Sequence, residues 1–236
     1  MNLFGLETES ILSRVAAEAV APSVPTLRQS LFIGGVGFGL VGLAAFAVWA
    51  LGGRELGKAI GEGGLYAACA LVFIGLAGAV FGQLVIGPGG TRRIYALFTV
   101  AFTAYSVVWT GAWFGLHGTL AAEVAGAVLG SLAMAGVLVA GFGAERECLR
   151  AATVLVVLNA LGYFVGEVWW RWVPGDGGAR LFGEMLNREQ RVLLSQLGWG
   201  VLFGGGFGSG VGYVIYRCQH AVRVHLRTEI PLTPEA

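Results

Sequence analysis

Apolar residues in this chain come in long runs rather than in alternation. Stretches nearly free of charge cover about Leu31–Leu51, Gly64–Ile86, Ile94–Leu116, Leu120–Phe142, Ala151–Trp170 and Leu197–Tyr216. A helix crosses the hydrocarbon core of a bilayer with roughly 20 apolar residues. The strict period-two alternation of a transmembrane barrel is absent. Lipid offers no partner to an unpaired backbone group, so helices are the spanning element this pattern supports. The pattern predicts an all-α, polytopic integral membrane bundle of about six transmembrane helices, with glycine-rich first and last spans. It divides the chain into an N-terminal amphipathic cytoplasmic segment (1–27), a six-helix transmembrane domain (28–217) and a C-terminal cytoplasmic tail (218–236).

Between and beyond the spans the signals are local. Ile11, Leu12, Val15 and Ala19 share one helical face, as in a short helix on the membrane surface or a partly ordered tail. Glu7, Glu9 and Glu18 do not fit a signal peptide. Pro22 and Pro25 end this segment. PGDGG at 174–178 is turn chemistry. Leu181, Phe182, Met185 and Leu186 then fit a short interfacial helix. Asn187 with Gln190 resembles a capping box, which starts the last helix near Arg188. RTEIPLTPEA at the C-terminus reads as a disordered tail.

Composition agrees with the pattern. The 236 residues are 56% hydrophobic and only 12% charged, with a mean hydropathy of +0.74. A soluble domain carries about 25% charged residues. The net charge of +1 provides no basic surface for nucleic acid. The expected partners are the lipid bilayer and, through glycine-rich faces, other membrane subunits or further copies of the chain. Cys69, Cys148 and Cys218 form no CxxC or CxxCH. His117, His220 and His225 all fall outside the spans, so no intramembrane haem ligand is in place. Walker, HExxH and GxSxG patterns are absent. No cofactor and no metal are expected.

Charge and tryptophan orient the bundle. Arg14, Arg28, Arg92, Arg93, Arg146, Arg150, Arg217, Arg223 and Arg227 fall on one side, against Arg54, Lys58, Arg171, Arg180, Arg188 and Arg191 on the other. Positive charge favours the cytoplasm, which places both termini inside a multi-pass inner (plasma) membrane protein of bacterial type. Trp49, Trp109, Trp113, Trp169, Trp170, Trp172 and Trp199 then all lie on the outer side. They read either as an interfacial belt or as the lining of an outer vestibule or partner surface.

Polar residues inside spans are costly and mark function or packing. In NALGYFVGEVWWR, Asn159, Tyr163, Glu167 and Arg171 recur every four residues, one stripe of a helix. A charge costs about 2.5–3.5 kcal/mol at a helix centre and less near an end. Glu167 and Arg171 are therefore either an outer ion pair that snorkels to water, or the head of a polar path. In the second case Glu167 holds a proton or cation, and Asn159 and Tyr163 lead inward. Thr99, Thr103, Ser106, Thr110, Trp113 and His117 share a face of the third span. Such hydroxyls bond within their own helix or across to a neighbour. If the third and fifth spans face each other, the two stripes form a polar pocket open outward. Glu123, in the first turn of the fourth span, is favoured there by the helix dipole and needs no further role.

In GWGVLFGGGFGSGVGYVIY, Gly200, Gly204, Gly208 and Gly212 recur every four residues. Gly198, Gly206 and Gly210 form a second, less regular set. A dinucleotide loop needs a preceding strand and a helix N-terminus; glycines inside an apolar span instead make a groove where another backbone approaches. Gly35, Gly39, Gly42 and Ala45 in the first span form a matching small face. Three functions follow. The leading one is transport of a small solute or ion between the third and fifth spans. The second is a non-catalytic structural or assembly subunit of a larger membrane complex. The third is an outer-face enzyme acting on lipid through Glu167 or His117.

Overall fold

Gly61 turns the chain back on itself. A computed structural model describes residues 3–18, 22–183 and 185–229. In it, helix α1 (Thr8–Ala16) is followed by α2 (Leu27–Phe81), started by a capping box between Thr26 and Gln29. α2 is broken only at Gly61, whose φ of 73° and ψ of 173° lie outside the helical region. The reversal is antiparallel: the Cys69 thiol donates to the Ala45 carbonyl at 3.4 Å, and Phe38 stacks on Phe73 and Phe81 at 5.5 and 5.2 Å. The first two expected spans are thus arms of one hairpin, with helix running to either side of a single left-handed glycine. Only glycine takes this φ without strain.

Helices α3 (Gly90–Gly115), α4 (Leu120–Phe142) and α5 (Cys148–Trp172) follow. The short α6 (Asp176–Phe182) starts inside PGDGG, earlier than the turn reading implied. α7 (Arg188–Cys218) begins at the expected Asn187–Gln190 capping box. α8 (His220–Glu229) occupies the start of the segment read as a tail, including Arg227 to Glu229 of RTEIPLTPEA; the remainder lies outside the described residues. The described residues contain no strand. Neighbouring helices close a ring in the order α2, α7, α5, α4, α3 and back to α2.

Both arms of α2, together with α3, α4 and the α5 segment, are long and apolar enough to cross a membrane, five helices among the described residues. α7 falls short because its glycines dilute its apolarity. It nevertheless runs along the first arm of α2, from the Gly42–Gly200 contact at one end to the Ser30–Gly212 contact at the other. Much of its middle is buried by protein, including Phe203, Phe207, Val211 and Val214, so less of its surface needs to be lipophilic.

Backbone contact explains those glycines. A Cβ on Gly200, Gly204, Gly208 or Gly212 would collide with the carbonyls of Gly42, Phe38, Gly34 and Ser30 respectively. The α2 face that meets this row is therefore Ser30, Gly34, Phe38 and Gly42. Gly39 borders it against Gly204, and Gly35 sits to its side, near Ser209 and Gly205. The second glycine row meets α5: Gly206 lies against Gly162 and the Leu158 carbonyl, Gly210 against Leu155, and Gly198 against the Trp169 indole. α7 thus has a glycine face for each neighbour.

The end of the bundle away from the Gly61 turn is tied by polar contacts. Arg14 donates to the Gly5 and Pro88 carbonyls at 2.7 and 3.2 Å, and Arg93 to the Phe4 carbonyl at 3.0 Å. Glu147 pairs with Arg217 at 2.6 Å. The Gln219 side chain bridges Leu84 and Ile86 of the α2–α3 connection. Ile11 of α1 is fully buried with Ile86 and Val222. The apolar face of α1 is therefore covered by this connection and α8 as well as facing outward at its rim; Ala19 lies outside the described residues. α1 and α8 share one end of the bundle. There Cys218 is buried and Cys148 exposed. Burial above all, with Glu147 and Cys148 nearby, pushes the Cys218 thiol up to about 12.

Three outcomes follow. Gly208→Ala forces α7 from α2 and lowers stability by about 1–3 kcal/mol, as overpacking does. Gly136→Ala, with no atom within 4 Å of the new methyl, is neutral or gains up to about 1 kcal/mol. Thermal unfolding in detergent measures both. At neutral pH N-ethylmaleimide labels Cys148 in the folded protein and reaches Cys218 only after unfolding, because thiolate is the reactive form; mass spectrometry of the peptides reads the difference.

Candidate functional site: an aromatic cavity with two carboxylates

At the Gly61 end the ring of helices encloses a cavity of about 490 Å³. The first arm of α2 supplies Phe46 and Trp49, and the second Tyr66, Cys69 and Phe73. α3 supplies Tyr105, Ser106, Trp109, Thr110 and Trp113. Glu123 comes from α4, Tyr163, Glu167 and Trp170 from α5, and Trp199 and Phe203 from α7. Most of the wall is aromatic. Among the described residues the lining contains two carboxylates and no Lys, Arg or His.

Small residues on the neighbouring helices seat the large rings. A Cβ on Gly126 would lie 2.7 Å from Trp109, one on Gly130 3.0 Å from Tyr105, and one on Gly166 3.1 Å from Trp199. Trp109 stacks on Trp113 with centroids 5.4 Å apart and planes 7° from parallel. Trp49 stacks on Trp170 at 5.3 Å. Tyr163 stands perpendicular to Trp199 at 5.4 Å. The floor is Phe73, Phe102 and Phe203, and below it Phe38, Phe81, Phe98 and Phe207 pack at centroid distances of 5.2–5.7 Å. The cavity is blind; this phenylalanine core fills the other half of the bundle.

The two carboxylates differ in their partners. Glu167 is fully engaged: Oε1 accepts from Trp199 Nε1 at 3.0 Å and Oε2 from Arg171 at 3.4 Å. Arg171 itself is largely exposed. Glu123 is 8% exposed, and its Oε2 is buried with no hydrogen-bond partner. It sits in the first turn of α4, which Thr119 caps by accepting from the Ala122 amide at 3.4 Å. The positive end of the helix favours a charged carboxylate there.

The expected polar path divides into three groups. Tyr163, Glu167, Ser106 and Thr110 line the cavity, and Arg171 reaches it through Glu167. Asn159 does not continue it. It is fully buried and donates to Ser131 Oγ at 2.9 Å, to Tyr105 Oη at 3.3 Å and to the Ala127 carbonyl at 3.4 Å, a knot joining α3, α4 and α5. Thr103 is exposed and donates to the Thr99 carbonyl of its own helix; His117 is exposed past the end of α3, with φ 53°, and lies outside the lining. The reason is geometric. α4 stands between α3 and α5, and the α3 side chains that reach α5 are Tyr105 and Trp109, on the face beside the hydroxyl stripe.

Of the tryptophans expected on the outer side, Trp49, Trp109, Trp113, Trp170 and Trp199 line the cavity. Trp169 instead donates to the Leu194 carbonyl at 3.3 Å, and Trp172 packs on Phe182. Glu123 is the site residue that sequence reasoning passed over. Its signal was present, as a carboxylate at the same end as Glu167, but a helix-dipole role accounted for it locally. Among the described residues no three His, Cys, Asp or Glu side chains converge as metal ligands. No protein family, curated protein or solved structure matches this chain, so its own residues carry the functional reading.

Asn159→Leu removes the knot, takes away the Asn159 donor at Tyr105 Oη, and leaves Ser131 its bond to the Ala127 carbonyl. It is expected to lower stability by about 0.6–1.7 kcal/mol, the range of such bonds in membrane helices, while leaving the cavity walls in place. Thermal unfolding, with tryptophan fluorescence as a report on the cavity, checks both halves.

Proposed function

We propose that this integral membrane protein takes a small solute into the aromatic cavity from the outer side, as the receiving site of a carrier. In this reading α7 is the sixth crossing, both termini are cytoplasmic, and the membrane is the inner (plasma) membrane. The observation that carries it is the cavity itself: a concave, mostly apolar site holding a few convergent polar groups is the usual form of a small-molecule site. The entry half of the path is the cavity, with Glu123, Glu167 and Tyr163 in its wall. The closed phenylalanine core makes the described conformation one end of a transport cycle, since passage requires that core to open on the far side.

A second reading, a subunit of a larger membrane complex, is favoured by one observation. A shallow groove of about 450 Å³ runs between the first arm of α2 and α7, lined by Phe32, Gly35, Gly39, Val201 and Gly205 among others, and shaped to admit a further helix. A subunit co-purifies with stoichiometric partners in mild detergent, whereas a carrier purifies alone. The third reading, a lipid-acting enzyme, lacks support from the geometry, because His117 lies outside the cavity that holds Glu167.

Cys69 tests the leading reading, since its side chain lines the cavity. In intact proteoliposomes a water-soluble, membrane-impermeant methanethiosulfonate modifies Cys69 from the Gly61 end. Modification only by a membrane-permeant reagent shows a cavity open to lipid and rejects an aqueous vestibule.

A further inference from the structure

We propose that the cavity binds an organic monocation, an amine or quaternary ammonium with an apolar body; the inference rests on the vestibule reading above. Three independent features select this chemistry. First, charge. Glu123 and Glu167 line the cavity, Arg171 pairs with Glu167, and among the described residues no basic side chain stands in the wall. Among the described residues the set therefore holds one more carboxylate than cation. Second, valence of the partners. Both Glu167 oxygens are taken, by Trp199 and by Arg171, whereas Glu123 Oε2 is buried and unpartnered. A buried carboxylate oxygen without a hydrogen-bond partner is costly, and a cation delivered with the ligand supplies one. Third, the wall. Indole and phenol rings attract a cation through their quadrupoles, and more strongly where water is displaced. Trp109, Trp113, Tyr163 and Trp199 surround the same space as Glu123.

The same features disfavour other ligands. A divalent metal needs a shell of oxygen or nitrogen donors, and no such cluster converges here among the described residues. An anion meets two carboxylates and, among the described residues, no Lys, Arg or His in the wall. A neutral aromatic compound would fill the volume, yet leave Glu123 unpaired. The apolar body of the ligand rests on the floor of Phe73, Phe102 and Phe203, and the charged head lies beside Glu123.

The test uses the full-length protein in proteoliposomes and two probes of one shape: benzyltrimethylammonium and its uncharged isostere neopentylbenzene. Protection of Cys69 from the water-soluble thiosulfonate reads occupancy, and isothermal titration in detergent reads affinity. The cation is expected to protect Cys69 and the isostere to protect it far less. Glu123→Gln is expected to weaken cation binding on the order of 10- to 100-fold, the worth of a hydrogen bond to a charged group. Glu123→Asp keeps the charge and retains most of the binding, which separates loss of charge from loss of fold; melting temperature checks both variants. If the isostere protects equally, if neither probe protects, or if Glu123→Gln binds the cation as wild type does, the cation inference is overturned while a water-reachable Cys69 keeps the vestibule reading. If Cys69 is not reached from water at all, both fall together.

Discussion

The structure depends on backbone meeting backbone along α7. Between transmembrane helices the hydrophobic effect provides little drive, because lipid tails are as apolar as leucine, and close packing takes its place. Here the glycine rows at 200, 204, 208 and 212 and at 198, 206 and 210 bring α7 against α2 on one side and α5 on the other. Each approach removes room for even a methyl group. The ring of helices closes because its central member has almost no side-chain thickness on two faces.

That thinness has a consequence at either half of the bundle. In one half, Phe203 and Phe207 of α7 project among Phe38, Phe73, Phe81, Phe98 and Phe102 and fill the interior. In the other, the side chains at the same ring interior are larger but held apart. Gly126, Gly130 and Gly166 let Trp109, Tyr105 and Trp199 lie flat against helix surfaces, and the space they leave is the cavity. The same residue type that seals the helices together thus also shapes the opening between them. The wall of that opening includes a carboxylate at a helix N-terminus, Glu123, set against the positive end of its own helix dipole.

Polar residues inside the bundle therefore have two separate jobs. The Asn159 amide nitrogen donates to Ser131 and Tyr105 and ties three helices, while Asn159 Oδ1 is buried without a partner. Glu123 is left unsatisfied, with water excluded from one oxygen. Residues on one stripe of a helix do not share a role merely because they share a face: Asn159 and Tyr163 are one turn apart on α5, and the first belongs to a sealed knot while the second lines the cavity. Depth along the bundle, set by where the phenylalanine core ends, decides which is which.

Much of the architecture was legible in the sequence because it rests on local physics. Length and apolarity specify helices that suit a bilayer, Asn187 with Gln190 marks the start of α7, and the period-four glycines mark a close helix contact. The clustering of tryptophan and of the acidic residues at one end also follows from where each falls within its span. What only the tertiary structure decided concerns neighbours. Which α2 residues meet the glycine row depends on helix rotation, and a shift of one residue turns a face by about 100°, so Gly34 and Phe38 join Gly39 and Gly42 against the row while Gly35 turns toward Ser209. That α4 separates α3 from α5, moving Thr103 and His117 away from the site and bringing Glu123 into it, depends on the order of helices around the ring. Periodicity says which residues of one helix look the same way; only the packing of all the helices says what they look at.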